Sequence, residues 1–167
     1  ATAESWDATK VRNLAYGNNG KLYLVYDHAD IKVVESQTGK FLYDLDKTNV
    51  SGGALTFCDV AFFDGKAVAG NLATTTALKV YVWDTDSSTP RVLLETTNLG
   101  GATRAGDNIA FSGTWASGKL SVPYKDDTKS FILNYAITNG VVATTPTKVE
   151  ATTNGTSPLT YTSTIRV

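Results

Sequence analysis

The sequence of 167 residues predicts an all-β fold built from similar four-stranded units, and three observations support this prediction. One pattern of apolar runs and Gly turns recurs three times with a period of about 45 residues. Apolar side chains alternate along short runs such as 22–26, which is typical of strands. Asn, Asp and Gly stand between the runs, where hairpin turns need positive φ angles. Four strands per unit at this period predict a β-propeller-like architecture, with a β-sandwich as the alternative.

The first two units resemble each other closely. The first covers approximately residues 10–46, and its predicted strands are 11–16, 20–26, 31–35 and 39–44. The second covers approximately residues 55–97, and its predicted strands are 59–63, 65–70, 78–83 and 91–95. In both units a Gly-Lys pair opens the second strand. The middle strands are apolar on both faces, which predicts that neighbouring sheets cover them on both sides.

The third unit is looser and covers approximately residues 102–150. Its predicted strands are 107–113, 130–135 and 141–143, and a turn is predicted at Ser117-Gly118. Residues 157–167 look like the first strand of a further blade, so the chain is one all-β domain or a partial propeller. Because ring closure needs about 4 to 8 blades, the remaining blades would come from the parent chain or from a second copy.

Composition excludes several classes of partner. The 15 basic and 16 acidic residues give a net charge of -1 without a basic stripe, so we expect no nucleic-acid partner. No run approaches the roughly 20 apolar residues of a transmembrane helix. Cys58 is the single cysteine, so a disulfide within the chain and a cysteine-based metal cluster are excluded, and we expect no metal or cofactor. Abundant Thr, Gly, Asn and Ser favour a secreted, periplasmic or cell-surface location.

Two features of the sequence carry a resemblance to known repeat proteins. The run from Leu78 to Asp84 resembles the third strand of a WD-type propeller blade, with Trp83-Asp84 at its end. The order of apolar strand, Asn-Gly-Lys or Asp-Gly-Lys turn and apolar strand in the first two units is similar to that of secreted, propeller-like surface proteins of uncharacterised function in gut Bacteroidetes. That resemblance implies extracellular display and binding of a glycan or a protein.

Propeller geometry nominates a ligand-binding surface. The loops between second and third strands and the connections between units open on the same face of a propeller, and this predicts one cluster of polar side chains. An aromatic platform beside amides and carboxylates suits a sugar, because its C–H faces stack on rings while its hydroxyls form hydrogen bonds. The candidate residues are Asp27, His28, Asp30, Asn71, Thr74, Arg104, Asp107 and Trp115.

Two short acidic motifs also occur at strand ends. Asp44-Leu45-Asp46 and Asp84-Thr85-Asp86 have the alternate-oxygen spacing of calcium loops. Neither continues into the full 12-position calcium pattern, so we interpret both as ordinary turn and strand-end carboxylates.

The sequence therefore predicts an extracellular, non-catalytic binding or scaffold module whose partner is a protein or a glycan. A first alternative is part of a propeller hydrolase or lyase acting on polysaccharide, with His28, Asp27, Arg104 and Asp107 near the ring axis. A second alternative is a structural module that dimerises through its sheet faces. We assign no catalytic residue, because His28 is a single histidine without a nucleophile or second imidazole arranged beside it in the sequence.

Overall fold

A computed structural model describes residues 7–125 and 129–151, and the strand predicted at 157–167 lies outside them. After a short 3₁₀ turn at Ala8–Lys10, the first four strands form sheet 1 in the order β1-β2-β3-β4. These strands are antiparallel neighbours. Their bounds are β1 Val11–Gly17, β2 Lys21–Tyr26, β3 Asp30–Glu35 and β4 Phe41–Asp44.

Sheets 2 and 3 repeat this meander. Sheet 2 has the order β5-β6-β7-β8, with β5 Leu55–Phe63, β6 Lys66–Leu72, β7 Leu78–Trp83 and β8 Arg91–Thr96. In sheet 3 the order is β9-β10-β11-β12, and β13 pairs with β11 as well. Its strands are β9 Ala110–Gly113, β10 Ser117–Lys125, β11 Ser130–Thr138, β12 Val141–Val142 and β13 Thr147–Ala151. The all-β prediction is confirmed.

The tight turns follow from residues that tolerate positive φ. Asp64 and Gly65 have φ angles of 44° and 86°, and Asn139 and Gly140 have 50° and 79°. Two consecutive positive φ angles define the type I′ turn, whose twist matches that of the strands it joins. The turn predicted at Ser117-Gly118 is wrong, since both residues already belong to β10. Gly118 is needed there for close approach, because a Cβ would lie 2.6 Å from the carbonyl oxygens of Ser112 and Thr114.

Sheet 2 lies between the other two sheets and is buried on both faces. One face of β6 and β7 packs on sheet 1, and the other packs on sheet 3, as expected from their apolar alternation. The first cluster includes Tyr23, Val25, Ile31 and Val33 of sheet 1 with Ala67, Ala69, Tyr81 and Trp83 of sheet 2. The second includes Val68, Val80 and Val82 of sheet 2 with Leu120, Val122, Leu133 and Tyr135 of sheet 3.

The first strand of each sheet contacts the first strand of the next. β1 lies against β5, and β5 also lies against β9. The three strands therefore place their starting residues at a common end of the stack, which we call the loop end. The opposite end carries the β1–β2, β5–β6 and β9–β10 turns, and we call it the hairpin end. Three open sheets in this arrangement fit both propeller-like blades and a sandwich.

Candidate functional site

At the loop end, the structure builds an ion-pair cluster that joins all three sheets. Asp107 precedes β9 and is 9% exposed. Its carboxylate accepts hydrogen bonds from Arg104 Nε at 2.7 Å, Arg104 Nη2 at 2.6 Å and Arg12 Nη2 at 3.0 Å. Arg12 lies near the start of β1, and its Nε also donates to the carbonyl of Cys58 in β5. Two cations around one carboxylate fix the loop before β9 onto the other two sheets.

Arg104 and Asp107 are among the site residues predicted from the sequence, whereas Arg12 is not. In the sequence Arg12 is a lone cation within an apolar strand, and only the contact between β1 and β5 brings it to Asp107. The sequence held one indication of this role. Arg12 is a charged residue in a strand with apolar neighbours, and a charge that becomes partly buried needs a partner of opposite charge.

Asp27, His28 and Asp30 lie at the β2–β3 turn and are engaged by neighbouring groups. Asp27 forms an ion pair with Lys10 at 3.1 Å, and Asp30 forms one with Lys47 at 2.6 Å. His28 Nδ1 lies 3.3 Å from the carbonyl oxygen of Phe57. Within the described part of the chain, the His28 side chain thus hydrogen-bonds to backbone and not to a carboxylate.

Asn71 is fully buried and closes the β6–β7 loop. Its Nδ2 donates to the carbonyl of Ala77 at 3.1 Å, and its Oδ1 accepts from the backbone N–H of Lys79 at 2.9 Å. Gly106 packs so tightly here that a Cβ would lie 2.1 Å from the carbonyl oxygen of Asn71. These contacts give Asn71 a structural role. Thr74 lies in the same loop and is half-buried.

Trp115 lies at the hairpin end, away from the other candidate residues. It occupies the β9–β10 turn, and its indole Nε1 donates to the carbonyl of Asp64 at 3.3 Å. Its ring meets Phe63 edge-on at 4.9 Å between centroids, and Lys66 Nζ lies 5.7 Å from its centroid. The expected grouping of Trp115 with Asn71 and Thr74 is therefore wrong, because a turn between first and second strands cannot reach the loop end.

A cleft of about 700 Å³ opens between sheets 1 and 2 on the β4 side of sheet 1. Sheet 1 and the segment after β4 supply one wall, and the β5–β6 turn and the β7–β8 loop supply the other. The lining residues are mostly polar and comprise Asn19, Lys21, Tyr43, Asp44, Asp46, Gly65, Asp84, Thr85, Asp86 and Ser87. Both acidic motifs of the sequence thus face one cavity, which their separation of 40 positions along the chain does not reveal.

Asp86 is the best-held carboxylate of the cleft. It accepts hydrogen bonds from Lys21 Nζ at 2.7 Å, Tyr43 OH at 2.6 Å and Tyr23 OH at 2.9 Å. Burial acts to raise the pKa of Asp86, but these three donors outweigh it, and the pKa lies below its ordinary value. The hydrogen bond to Asp86 raises the pKa of Lys21, and burial raises the pKa of Tyr23 to about 12. The network therefore locks sheet 1 to the β7–β8 loop in a fixed charge state.

The other three cleft carboxylates also have fixed partners. Asp44 pairs with Lys32, and Asp84 pairs with both Lys66 and Arg91. Asp46 accepts from the backbone N–H of Thr48 at 2.8 Å and from Thr89 Oγ1 at 2.9 Å. Hydrogen bonds from Lys66 lower the pKa of Asp84, and those from Thr48 lower the pKa of Asp46. The lowered pKa values favour the ionised form of Asp46, Asp84 and Asp86, while Asp44 is held by its ion pair with Lys32.

Cys58 lies in β5 beneath the loop end and is fully buried. Burial raises the pKa of its thiol to about 11, so the thiolate is disfavoured at neutral pH.

Two further structural limits apply to the described residues. No group of three or more His, Cys, Asp or Glu side chains within residues 7–125 and 129–151 is placed to hold a metal ion. No helix in this part of the chain has the length and apolar character needed to cross a membrane.

Comparison with known proteins identifies a similar fold. No model of a protein family matches the sequence, and no curated protein does. Among solved structures, the chain is similar to a DUF4623 family protein from Bacteroides eggerthii, with a TM-score of 0.69 and 18% sequence identity. The match covers 86% of this chain and 36% of that one, so the chain spans about a third of the solved structure. At this identity the likeness extends to the fold.

Proposed function

We propose that this chain belongs to an extracellular or cell-surface module with propeller-like blades, which binds a protein or a glycan without catalysing a reaction. The observation that carries the proposal is the contact of β1 with β5 and of β5 with β9. Successive meanders that meet through their first strands are typical of blades around an axis. In this proposal sheets 1, 2 and 3 are three blades, and further blades from the parent chain or a second copy complete the ring.

The contacts of the polar residues favour binding over hydrolysis or elimination. A general base needs an acceptor atom that faces the substrate. His28 instead lies beside the carbonyl of Phe57, and Asp107 is held by Arg12 and Arg104. Rigid polar side chains in these states suit recognition, where fixed donors and acceptors select a partner.

The proposal is tested on cells that make the protein and on the purified chain. Externally added protease should remove the protein from intact cells, and the purified chain should release neither reducing ends nor unsaturated sugars from polysaccharides. Protection from protease would contradict the surface location. Release of sugar products that disappears in a His28→Ala variant would instead favour the hydrolase or lyase.

A further inference from the structure

We infer that the cleft between sheets 1 and 2 is a binding site for a neutral, polyhydroxylated ligand, with an oligosaccharide as its chemical class. The inference rests on the proposed binding function and adds a site and a ligand class to it. The cleft volume of about 700 Å³ lies within the range of pockets that hold small molecules, which is about 300–1,000 Å³.

The charge of the cleft selects against ionic ligands. Its carboxylates are Asp44, Asp46, Asp84 and Asp86, and the cations bound to this set are Lys21, Lys32, Lys66 and Arg91. The set therefore totals four negative and four positive charges, and three of the four carboxylates lie within hydrogen-bond distance of a cation, whereas Asp46 bonds to Thr48 and Thr89. A cationic ligand would compete with the bound lysines, and an anionic ligand would face the carboxylates. A neutral ligand meets neither cost.

The hydrogen-bonding capacity of the lining fits sugar hydroxyls. An ionised carboxylate offers about four lone-pair sites, and Asp44 and Asp84 use only part of theirs on their cationic partners. Thr85 and Ser87 add exposed hydroxyls that both donate and accept. A sugar hydroxyl that donates to a carboxylate and accepts from a neighbouring hydroxyl is satisfied on both sides.

The cleft is also organised in advance of binding. Asp86 is fixed by Lys21, Tyr43 and Tyr23, and the Lys21 ammonium lies 5.3 Å from the centroid of the Tyr43 ring. Side chains that are already held lose little conformational freedom when a ligand binds, which favours affinity. The two acidic motifs are thus explained as acceptor groups contributed by adjacent sheets.

The test uses the whole chain and a panel of named probes in affinity gel electrophoresis: xylan, mannan, mixed-linkage β-glucan and starch as neutral polysaccharides, with pectin as an acidic comparator. Ser87→Trp places an indole in the cleft from an exposed loop position, and Thr75→Trp places one at the exposed β6–β7 loop of the loop end. We expect at least one neutral polysaccharide to retard the wild type. Ser87→Trp should weaken that binding at least tenfold, and Thr75→Trp should leave it unchanged.

Asp46→Ala serves as a second variant because Asp46 is a half-buried carboxylate of the cleft lining, and it should weaken the same binding severalfold. Thermal unfolding of each variant checks that it folds. Unchanged binding by Ser87→Trp and Asp46→Ala, retention by pectin alone, or no retention by any neutral polysaccharide would each overturn the cleft as a glycan site. Binding lost in Thr75→Trp alone would move the site to the loop end, and the proposed binding function would survive.

Discussion

The two faces of sheet 2 place their carboxylates differently. Towards sheet 1, Asp86 of the β7–β8 loop bonds to Lys21, Tyr43 and Tyr23 beside the cleft. Towards sheet 3, β6 and β7 meet apolar side chains, and carboxylates bond at the two ends of the contact, where Asp59 accepts from Ile109 N–H and Asp64 accepts from Trp115 N–H.

Tyr23 is buried against sheet 2 and donates to the carboxylate of Asp86. Tyr135 is equally buried on the other side and donates to the carbonyl of Asn98 at 3.1 Å. The interface with sheet 1 carries the cleft, and the side chains that β6 and β7 turn towards sheet 3 belong to a buried apolar cluster. Sheets 1 and 2 are thus joined by an apolar cluster, and the hydrogen bonds of Asp86 add a polar connection beside the cleft.

Adding a methyl group at Gly106 should lower the unfolding free energy more than removing a charge or a hydroxyl group does. Gly106→Ala places a Cβ 2.1 Å from the carbonyl oxygen of Asn71, and Gly106 has a φ of 98°. We expect a loss of more than about 4 kcal/mol of unfolding free energy, measured by urea denaturation. Gly101→Ala is the matched control, since Gly101 has a φ of 91° and nothing within 4 Å of its Cβ position. It should cost only the backbone strain of about 1–2 kcal/mol. Equal losses would show that backbone strain and not the contact with Asn71 governs the loss of stability.

Removing the charge of Asp86 should weaken the interface with the cleft by a smaller amount. Asp86→Asn should cost about 1–3 kcal/mol at pH 7, because Lys21 loses its anionic partner. Asp44→Asn, which removes a more exposed pair with Lys32, should cost less than about 1 kcal/mol. Both are measured by denaturant unfolding.

The pH dependence of the Asp86 variant has a defined sign. The folded state lowers the pKa of Asp86 from 3.8, so the carboxylate contributes stability above that pH and loses it as pH falls through the folded value. The stability difference between wild type and Asp86→Asn should therefore shrink below about pH 4. If the stability difference between wild type and Asp86→Asn stays constant down to pH 2, the loss of stability comes from changed packing and not from the lost charge.

The two tyrosine hydroxyls compare the two interfaces directly. Tyr23→Phe removes a hydrogen bond to a carboxylate and should cost about 1.5–3 kcal/mol, whereas Tyr135→Phe removes a bond to a neutral carbonyl and should cost about 0.5–1.5 kcal/mol. Burial raises the pKa of both groups to about 12, from 10.0. The stability that depends on the neutral phenols is thus complete below pH 10 and is lost as pH rises toward 12. If Tyr23→Phe and Tyr135→Phe lose equal unfolding free energy, a hydrogen bond to a carboxylate stabilises its interface no more than a hydrogen bond to a neutral carbonyl.

Local patterns predicted the strands of sheets 1 and 2, because alternation and turn residues act over a few positions, but they did not predict β10 and β13 of sheet 3. The type I′ turn at Asp64-Gly65 follows from two residues that accept positive φ. Contacts between sheets were harder to predict. The Arg12–Asp107 pair joins residues 95 positions apart. Trp115 was assigned to the loop end because residues 107–113 were interpreted as a second strand, whereas β9 is the first strand of sheet 3 and β10 follows it. The acidic motifs were seen in the sequence, but their shared cleft depends on how sheets 1 and 2 stack.

The buried thiol of Cys58 makes the stack open to kinetic measurement. Since Cys58 is the single cysteine and β5 contacts both β1 and β9, an alkylating reagent can modify the chain only when the first strands separate. The rate of modification would then report the frequency of that separation under native conditions, without denaturant. A ligand that bridges sheets 1 and 2 should slow the reaction, so a side chain outside the cleft lining would register the occupancy of the cleft.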